Sequence, residues 1–342
     1  MARKLKKKVR LVDIAREARV GSATVERVLN ARGNVAPDTA ERVIVAAKKL
    51  GYGRRLPELY RGTIRIEVML VRPDTPFFVR LNHAFTRIAA SLDSSILVHR
   101  TFVDELDPVS VARRIANPGF RRSGLIIVSP EHPAVAESLR EASDAGVVVV
   151  QIVTKVAEGD DLPLVGIDNY AAGRTAGFYM ANLLSVRSGS IVALCHSGAY
   201  VVHRERIGGF SDYLLEHPSA AHNFSLVMHG LDQERRSAEL VEAAIERDSQ
   251  IIGIYNAGGA SGAVASVLKR KRLGGRVAWI GHELTDETRS YLKAGLMSIV
   301  LDQAPEVQAR RALDTVLRKI GIIDVEIDAG PVRFFTITPE NA

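Results

Sequence analysis

The sequence predicts an α/β protein in two parts: an N-terminal all-α head of helix-turn-helix type, then a body of two doubly wound parallel-sheet lobes. Three observations predict it. Excess positive charge is confined to the front, where residues 1–62 hold 16 Lys and Arg against 6 Asp and Glu, while the remaining 280 residues hold 30 against 33. Near residue 63 the apolar pattern changes from helical spacing to β-branched runs interleaved with helical stretches, the pattern of parallel sheets covered on both faces. Those runs number ten in the 280 residues, too many for one doubly wound sheet, so two lobes are expected.

The head is expected over residues 1–52. Leu11, Ile14, Ala15 and Ala18 recur at helical spacing, then Val20, Val25, Val28 and Leu29, then Val43, Ala47 and Leu50. "NARGNVAPDTAE" separates the second and third runs, with Pro37 placed to open a helix at its first position. Ile14, Ala18, Val20, Val25 and Val28 supply an apolar seam, and Ala15 is small where two helices cross. That arrangement matches a helix-turn-helix, whose second helix presents its outer face to the major groove. In "GSATVERVLN" the edge away from the seam carries Ser22, Glu26, Arg27 and Asn30. Clustered cations supply sequence-independent attraction to phosphate, but a solvated basic face on any small bundle has the same composition.

Residues 53–62, within "GYGRRLPELYRGT", read as a basic linker with room for one helical turn from Pro57. The body, 63–342, opens with "TIRIEVMLV" and continues through "SSILVHRTFV", "SGLIIVSP", "GVVVVQIVT", "LPLVGID", "SIVALCHSG", "FSLVMHG", "IIGIYNAG", "RVAWIGHE" and "MSIVLDQ" as strands. Helical stretches such as "RLNHAFTRIAASL", "AVAESLREASDAG", "RERIGGFSDYLLEH" and "PEVQARRALDTVLRKIG" lie between several of them.

Doubly wound sheets bind ligands beyond the carboxyl ends of their strands. The polar residues there are Asp74, Glu131 with His132, Thr154, Asp168, His196 with Ser197, Asn256, His282 with Glu283, and Asp302 with Gln303. Such a set donates and accepts hydrogen bonds, and it contains no Ser-His-acid order, no His-x-x-x-His and no paired cysteines. Holding a small polar molecule is therefore expected, without catalytic residues, metal or cofactor. "NAGGASGA" follows a strand and precedes a helix, but its glycines fall as G-G-x-x-G, so a dinucleotide is not expected.

Cys195 is the single cysteine and has no internal disulfide partner, which suits a reducing cytoplasm. No apolar run approaches the ~20 residues that span a bilayer. In "MARKLKKKVRLVDIAREA" Asp13, Arg16 and Glu17 interrupt any signal-peptide core, so neither export nor a membrane partner is expected.

"VRLVDIAREARVGSATVERVLNARGNVAPDTAERVIVAAKKLGY" closely resembles the DNA-binding head of the lac repressor family of bacterial transcription regulators. The family's Thr-Val-x-Arg-Val-hydrophobic-Asn core stands here as Thr24, Val25, Glu26, Arg27, Val28, Leu29 and Asn30. The resemblance implies that Arg27 makes a bidentate contact to guanine O6 and N7, worth ~1–3 kcal/mol of discrimination. It implies that Ser22 and Ala23 tune operator choice and that Thr24 and Asn30 contact phosphate. Arg19 occupies a turn position where the family often has Gly, and Glu26 replaces a common Ser, so an unusual operator is expected. The family's hinge helix wedges a Leu into the minor groove; Leu59 is the candidate, with Leu56 its rival.

From Ile64 onward the chain resembles type I periplasmic sugar-binding proteins, the ribose binders among them, whose fold the lac repressor family shares. The resemblance implies lobe one at about 63–167 and 304–333 and lobe two at about 168–303 and 334–342. "DTPFF" looks like the Asn-x-Pro-Phe-Phe turn, so Asp74 takes the Asn position and Phe77 and Phe78 are expected to pack on a sugar. "HRERIGGF" is similar to a segment that supplies an arginine, assigned to Arg204; "IYNAGG" assigns Asn256, "WIGHE" Glu283 and "LDQAP" Gln303. Glu131 and Thr154 complete the expected effector set. Val153 and Thr154 stand where the ribose binders carry an Asp-Arg pair, so a ribose pocket is not expected, and the acidic members argue against a phosphorylated sugar. What the resemblance implies is a homodimeric repressor bound to double-stranded operator DNA and controlled allosterically by a sugar or polyol effector.

Overall fold

Three helices form the head: α1 (Leu11–Ala18), α2 (Ser22–Leu29) and α3 (Pro37–Lys49). The structure, a computed structural model, describes residues 9–30, 35–52, 63–129, 131–156, 161–219 and 221–342. Ile14, Ala15 and Ala18 of α1 meet Val25 and Val28 of α2 and Ala40, Val43, Ile44 and Ala47 of α3 in one buried cluster, the seam expected from helical spacing. The turn after α1 requires a left-handed residue, and Arg19 adopts it at φ 54°, which costs a residue with a Cβ ~1 kcal/mol. Val20 N–H closes that turn on the Ala15 carbonyl at 3.0 Å. Lys49 and Glu17 pair at 2.6 Å on the head surface, an exposed contact worth ~0–1 kcal/mol. The linker 53–62, with Leu56 and Leu59, lies outside the described residues.

The body alternates strands and helices. Its first half runs β1 (Ile64–Leu70), α4 (Pro76–Ala90), β2 (Ile96–Phe102), α5 (Pro108–Ala116), β3 (Gly124–Ile127), α6 (Pro133–Asp144), β4 (Val148–Ile152) and β5 (Leu164–Val165). The second half runs α7 (Asn169–Leu183), β6 (Gly189–Cys195), α8 (Val201–Glu216), β7 (His222–His229), α9 (Glu234–Arg247), β8 (Ile251–Asn256), α10 (Ser261–Arg270), β9 (Ala278–His282), α11 (Asp286–Lys293) and β10 (Ile299–Asp302), followed by α12 (Pro305–Ile320) and β11 (Phe335–Ile337). Two sheets result, ordered β2-β1-β3-β4-β5 and β11-β10-β9-β8-β6-β7. The pairings β1–β3, β3–β4 and β4–β5 are parallel, as are β6–β7, β6–β8, β8–β9 and β9–β10, while β11 pairs antiparallel with β10. Each sheet therefore reverses its strand order once, at β1/β3 and at β6/β8, and the crevice expected of doubly wound sheets lies beyond those strand ends.

The chain crosses between the sheets after β5, after β10 and before β11. α12 returns to pack on α4, β3 and β4, and Val332 N–H bonds the Gly166 carbonyl at 2.7 Å before the chain joins the second sheet. Apolar residues fill both lobes, with Met69, Leu125 and Leu139 buried in one and Trp279, Val264 and Leu268 in the other.

Four elements differ from the expectation. α4 begins at Pro76 and takes in Phe77 and Phe78, with proline in its first turn; α5 and α11 are eight or nine residues long with only two or three buried positions each; and the three residues of β11 form an eleventh strand at a sheet edge.

Candidate functional site

On α2, Ser22, Ala23, Glu26, Arg27 and Asn30 are exposed and Thr24 is half-buried, while Val25 and Val28 face the head core. The four-residue spacing of the helix produces that division, because the seam residues fall on one stripe and the rest on the other. Asn30 ends the helix with its N–H on the Glu26 carbonyl at 3.0 Å. Among the described residues neither Glu26 nor Arg27 joins an ion pair, so no acid of the head neutralises Arg27. Leu59, the expected wedge, lies outside the described residues.

In the body, the strand ends of both sheets enclose a cavity of about 90 Å³. That is small beside the roughly 300–1,000 Å³ of ordinary ligand pockets, and polar contacts between the lobes border it. Arg72, just after β1, reaches Asp232, just after β7, at 2.7 Å. Its guanidinium lies over the rings of Phe78 at 4.9 Å and Tyr200 at 5.2 Å. Both residues of this pair have left-handed backbone, Arg72 at φ 46° and Asp232 at φ 52°, a conformation that packing must impose on a non-glycine residue. Glu105, after β2, lies 3.2 Å from Arg72 and accepts from the Tyr200 hydroxyl across the cleft. Arg80 of α4 donates to Asp302 and to the Leu284 carbonyl at 3.1 Å, and lies 3.4 Å from Glu283.

The floor of the cavity belongs to α8. Val202, His203 and Arg206 line it, at the spacing that shares one helix face. Arg206 is 3% exposed and donates to Asn169 Oδ1 at 2.9 Å, to the Ala257 carbonyl at 2.8 Å and to Gln303 Oε1 at 2.5 Å. Gln303 in turn donates to Glu283. Burial, reinforced by the neighbouring carboxylate of Asp302, pushes the Glu283 carboxyl up to about 8. Burial and the charge of Arg206 hold His203 and His282 well below the ordinary imidazole range, so both rings are neutral near pH 7.

Close backbone packing sets that floor. A Cβ on Gly173 of α7 would meet the Arg206 carbonyl oxygen at 2.1 Å, and one on Gly209 of α8 would meet that of Tyr170 at 2.2 Å. Only glycine at these positions lets α7 and α8 approach closely enough to hold Arg206 beneath the cavity.

The expected effector residues divide into two groups. Phe77, Phe78, Glu283 and Gln303 line the cavity. Asp74 is exposed, and Thr75 and Pro76 line the wall in its place. Thr154 is buried away from the lining, which at that turn is formed by Val153 at φ 73°. Asn256 spends its amide on the loop before α10, bonding the Gly259 carbonyl at 2.7 Å, and Gly258 N–H bonds its oxygen at 3.3 Å. Arg206, not Arg204, lines the cavity: two residues along a helix turn the side chain to the opposite face, and Arg204 stands at the surface, paired with Glu131 at 2.7 Å. That contact also takes Glu131 out of the lining. Sequence reading missed Arg72, Glu105, Asp232 and Arg206. Glu105 and Asp232 follow the ends of β2 and β7, so strand-end inspection extended to those two strands finds both.

Among the described residues no group of three or more His, Cys, Asp or Glu side chains is placed to hold a metal, and no helix is long and apolar enough to cross a membrane.

The family described as "Bacterial regulatory proteins, lacI family" matches residues 10–54, and the family described as "Periplasmic binding protein domain" matches residues 66–321. The chain belongs to the lacI family. Catabolite control protein A of Priestia megaterium is 24% identical to this lacI-family regulator over 255 residues, 72% of this chain and 73% of its own length. Ribose import binding protein RbsB of Haemophilus influenzae is 26% identical over 239 residues, 68% of this chain and 78% of its own. A solute-binding protein from Burkholderia graminis, solved in complex with D-arabinose, superposes with a TM-score of 0.72 at 20% identity, covering 82% of this chain and 96% of the other; at that identity the likeness establishes the fold. The regulator thus carries a DNA-binding head on a body of periplasmic-binding-protein type, and its family is one of transcription regulators, not enzymes.

Proposed function

We propose that this lacI-family regulator is a cytoplasmic homodimeric repressor whose α2 reads operator bases and whose affinity is set by a sugar or polyol closing the cleft. The observation that carries the reading is the cavity between the sheets. Its apolar wall, Phe77 and Phe78, faces a floor of Arg206, Gln303 and Glu283 that donates and accepts at once. A sugar presents the complementary surface, a patch of C–H groups with hydroxyls at its edges. Relatives support the choice: one imports ribose by its name, and a structural neighbour is described with D-arabinose.

Ser22, Ala23, Glu26 and Arg27 would face base edges, with Thr24 and Asn30 on phosphate and Leu59 in the minor groove. Two half-sites require two heads, hence the dimer. Release follows if the effector binds the DNA-incompetent state more tightly, since a ligand shifts an equilibrium only through differential affinity.

The test is a thermal-shift screen of sugars, polyols and sugar acids on the full chain, repeated with Arg206→Ala and Arg204→Ala. A hit that Arg206→Ala abolishes and Arg204→Ala leaves within about three-fold supports the floor as the binding surface. Absence of any hit contradicts it.

A further inference from the structure

We propose that the effector carries a carboxylate, as an aldonate or uronate does, seated on Arg206 and His203; this rests on the cleft being the effector site. A buried charge is ordinarily paired with an opposite one. Arg206 is not: its three bonded acceptors are an amide oxygen, a backbone carbonyl and a second amide oxygen, and no described carboxylate lies within ion-pair distance. Those three bonds leave two of a guanidinium's five N–H groups for a ligand.

His203, one turn earlier on the same face of α8, is 5% exposed, and its Nδ1 has no hydrogen-bond partner. It lines the cavity together with Arg206 and with Arg72 of the opposite lobe. The charges of both arginines act on it, so it stands in positive potential while remaining uncharged. An anionic oxygen placed against Arg206 is in reach of the chemistry that ring supplies, a neutral N–H donor.

No described acid of the same cavity lies within ion-pair distance of Arg206: Glu283 holds its proton at neutral pH, and the others have partners of their own or stand at helix N-termini. Asp232 accepts from Arg72 and from Gly259 N–H, both at 2.7 Å. Glu283 accepts from Gln303 and lies 3.4 Å from Arg80. Glu234 accepts from the backbone at Gly262 and Ala263 in the first turn of α10, and Glu287 stands in the first turn of α11, both positive ends of helices. One ligand carboxylate therefore completes the charge balance of the floor. A doubly charged phosphate at the same place exceeds it and meets those acids.

The experiment is calorimetric titration of the full chain with D-gluconate, D-galactonate, D-glucuronate and D-galacturonate, beside D-glucose, D-galactose, D-ribose, D-glucosamine and D-glucose 6-phosphate. At least one acid should bind about ten-fold or more tighter than its neutral counterpart, the advantage of a charge-assisted bond over a neutral one. Arg206→Met should abolish that preference. Should that variant fail to fold, His203→Phe, which exchanges one uncharged ring for another, should weaken the acid about ten-fold and leave the neutral sugar unchanged. Neutral, amino or phosphorylated sugars binding as tightly as the acids would overturn the carboxylate and leave the cleft reading standing. Binding of none of the nine compounds would overturn both.

Discussion

Gly173→Ala should displace the floor of the cleft and weaken effector binding without touching any effector group. The added methyl would lie 2.1 Å from the Arg206 carbonyl oxygen, 2.8 Å from its carbonyl carbon and 3.0 Å from its Cα. Relief to ordinary contact requires α7 and α8 to separate by about 1 Å, and forcing a methyl into a packed interior costs about 1–3 kcal/mol. Arg206 moves with its own backbone, and its bonds at 2.5–2.9 Å to Gln303, Ala257 and Asn169 do not survive a shift of that size intact. Gly208→Ala is the internal control: on α8, two residues past Arg206, its Cβ meets nothing within 4 Å, so relief of glycine's helix penalty stabilises by about 0.5–1 kcal/mol. Urea unfolding of both variants and thermal shift with the effector measure the two effects. If Gly173→Ala matches wild type within about 0.5 kcal/mol and responds to effector as wild type does, the close crossing of α7 and α8 does not position Arg206.

Arg27→Ala should cost about 1–3 kcal/mol on the selected operator and flatten preference at one base pair, while affinity for random DNA changes little; anisotropy titrations on both duplexes check it. Because the folded Glu283 carboxyl is raised to about 8 from an ordinary 4.5, the folded state holds a proton there that the unfolded chain releases above pH 4.5. Stability from this group is full below pH 4.5 and is lost as pH rises toward 8. Unfolded His203 and His282 still release protons between pH 6.5 and 8, but they do so in wild type and in Glu283→Gln alike, so over that range wild type should lose up to about 2 kcal/mol relative to Glu283→Gln in urea titrations. In lobe one, Glu67 is fully buried against Arg122 at 2.5 Å and Arg114 at 3.0 Å. Glu67→Ala leaves the Arg122 charge buried alone and should destabilise by about 3–5 kcal/mol in the same assay.

Most of the fold was legible because it rests on short-range periodicity. The seam of Ile14, Ala18, Val25 and Val28 declares the head, and β-branched runs such as "IIGIYNAG" declare the strands. α11 was illegible because its "DETRSYLK" buries only Thr288 and Leu292, too few for a helical stripe. The cavity lining was legible where it follows a strand end, as at Glu283 and Gln303. On α8 it was not, since "HRERIGGF" offers two arginines and only burial and the hydrogen bonds of Arg206 show which faces inward. Arg72, Glu105 and Asp232 meet from three loops far apart in sequence, and no local pattern encodes such a meeting.

Control of the head by the cleft is tested most directly by one titration: operator binding by the full chain, with and without a saturating compound from the sugar panel. A shift in operator affinity of roughly five-fold or more is expected, abolished by Arg206→Ala at the same compound concentration. A compound that demonstrably binds yet leaves the operator isotherm unchanged would contradict it.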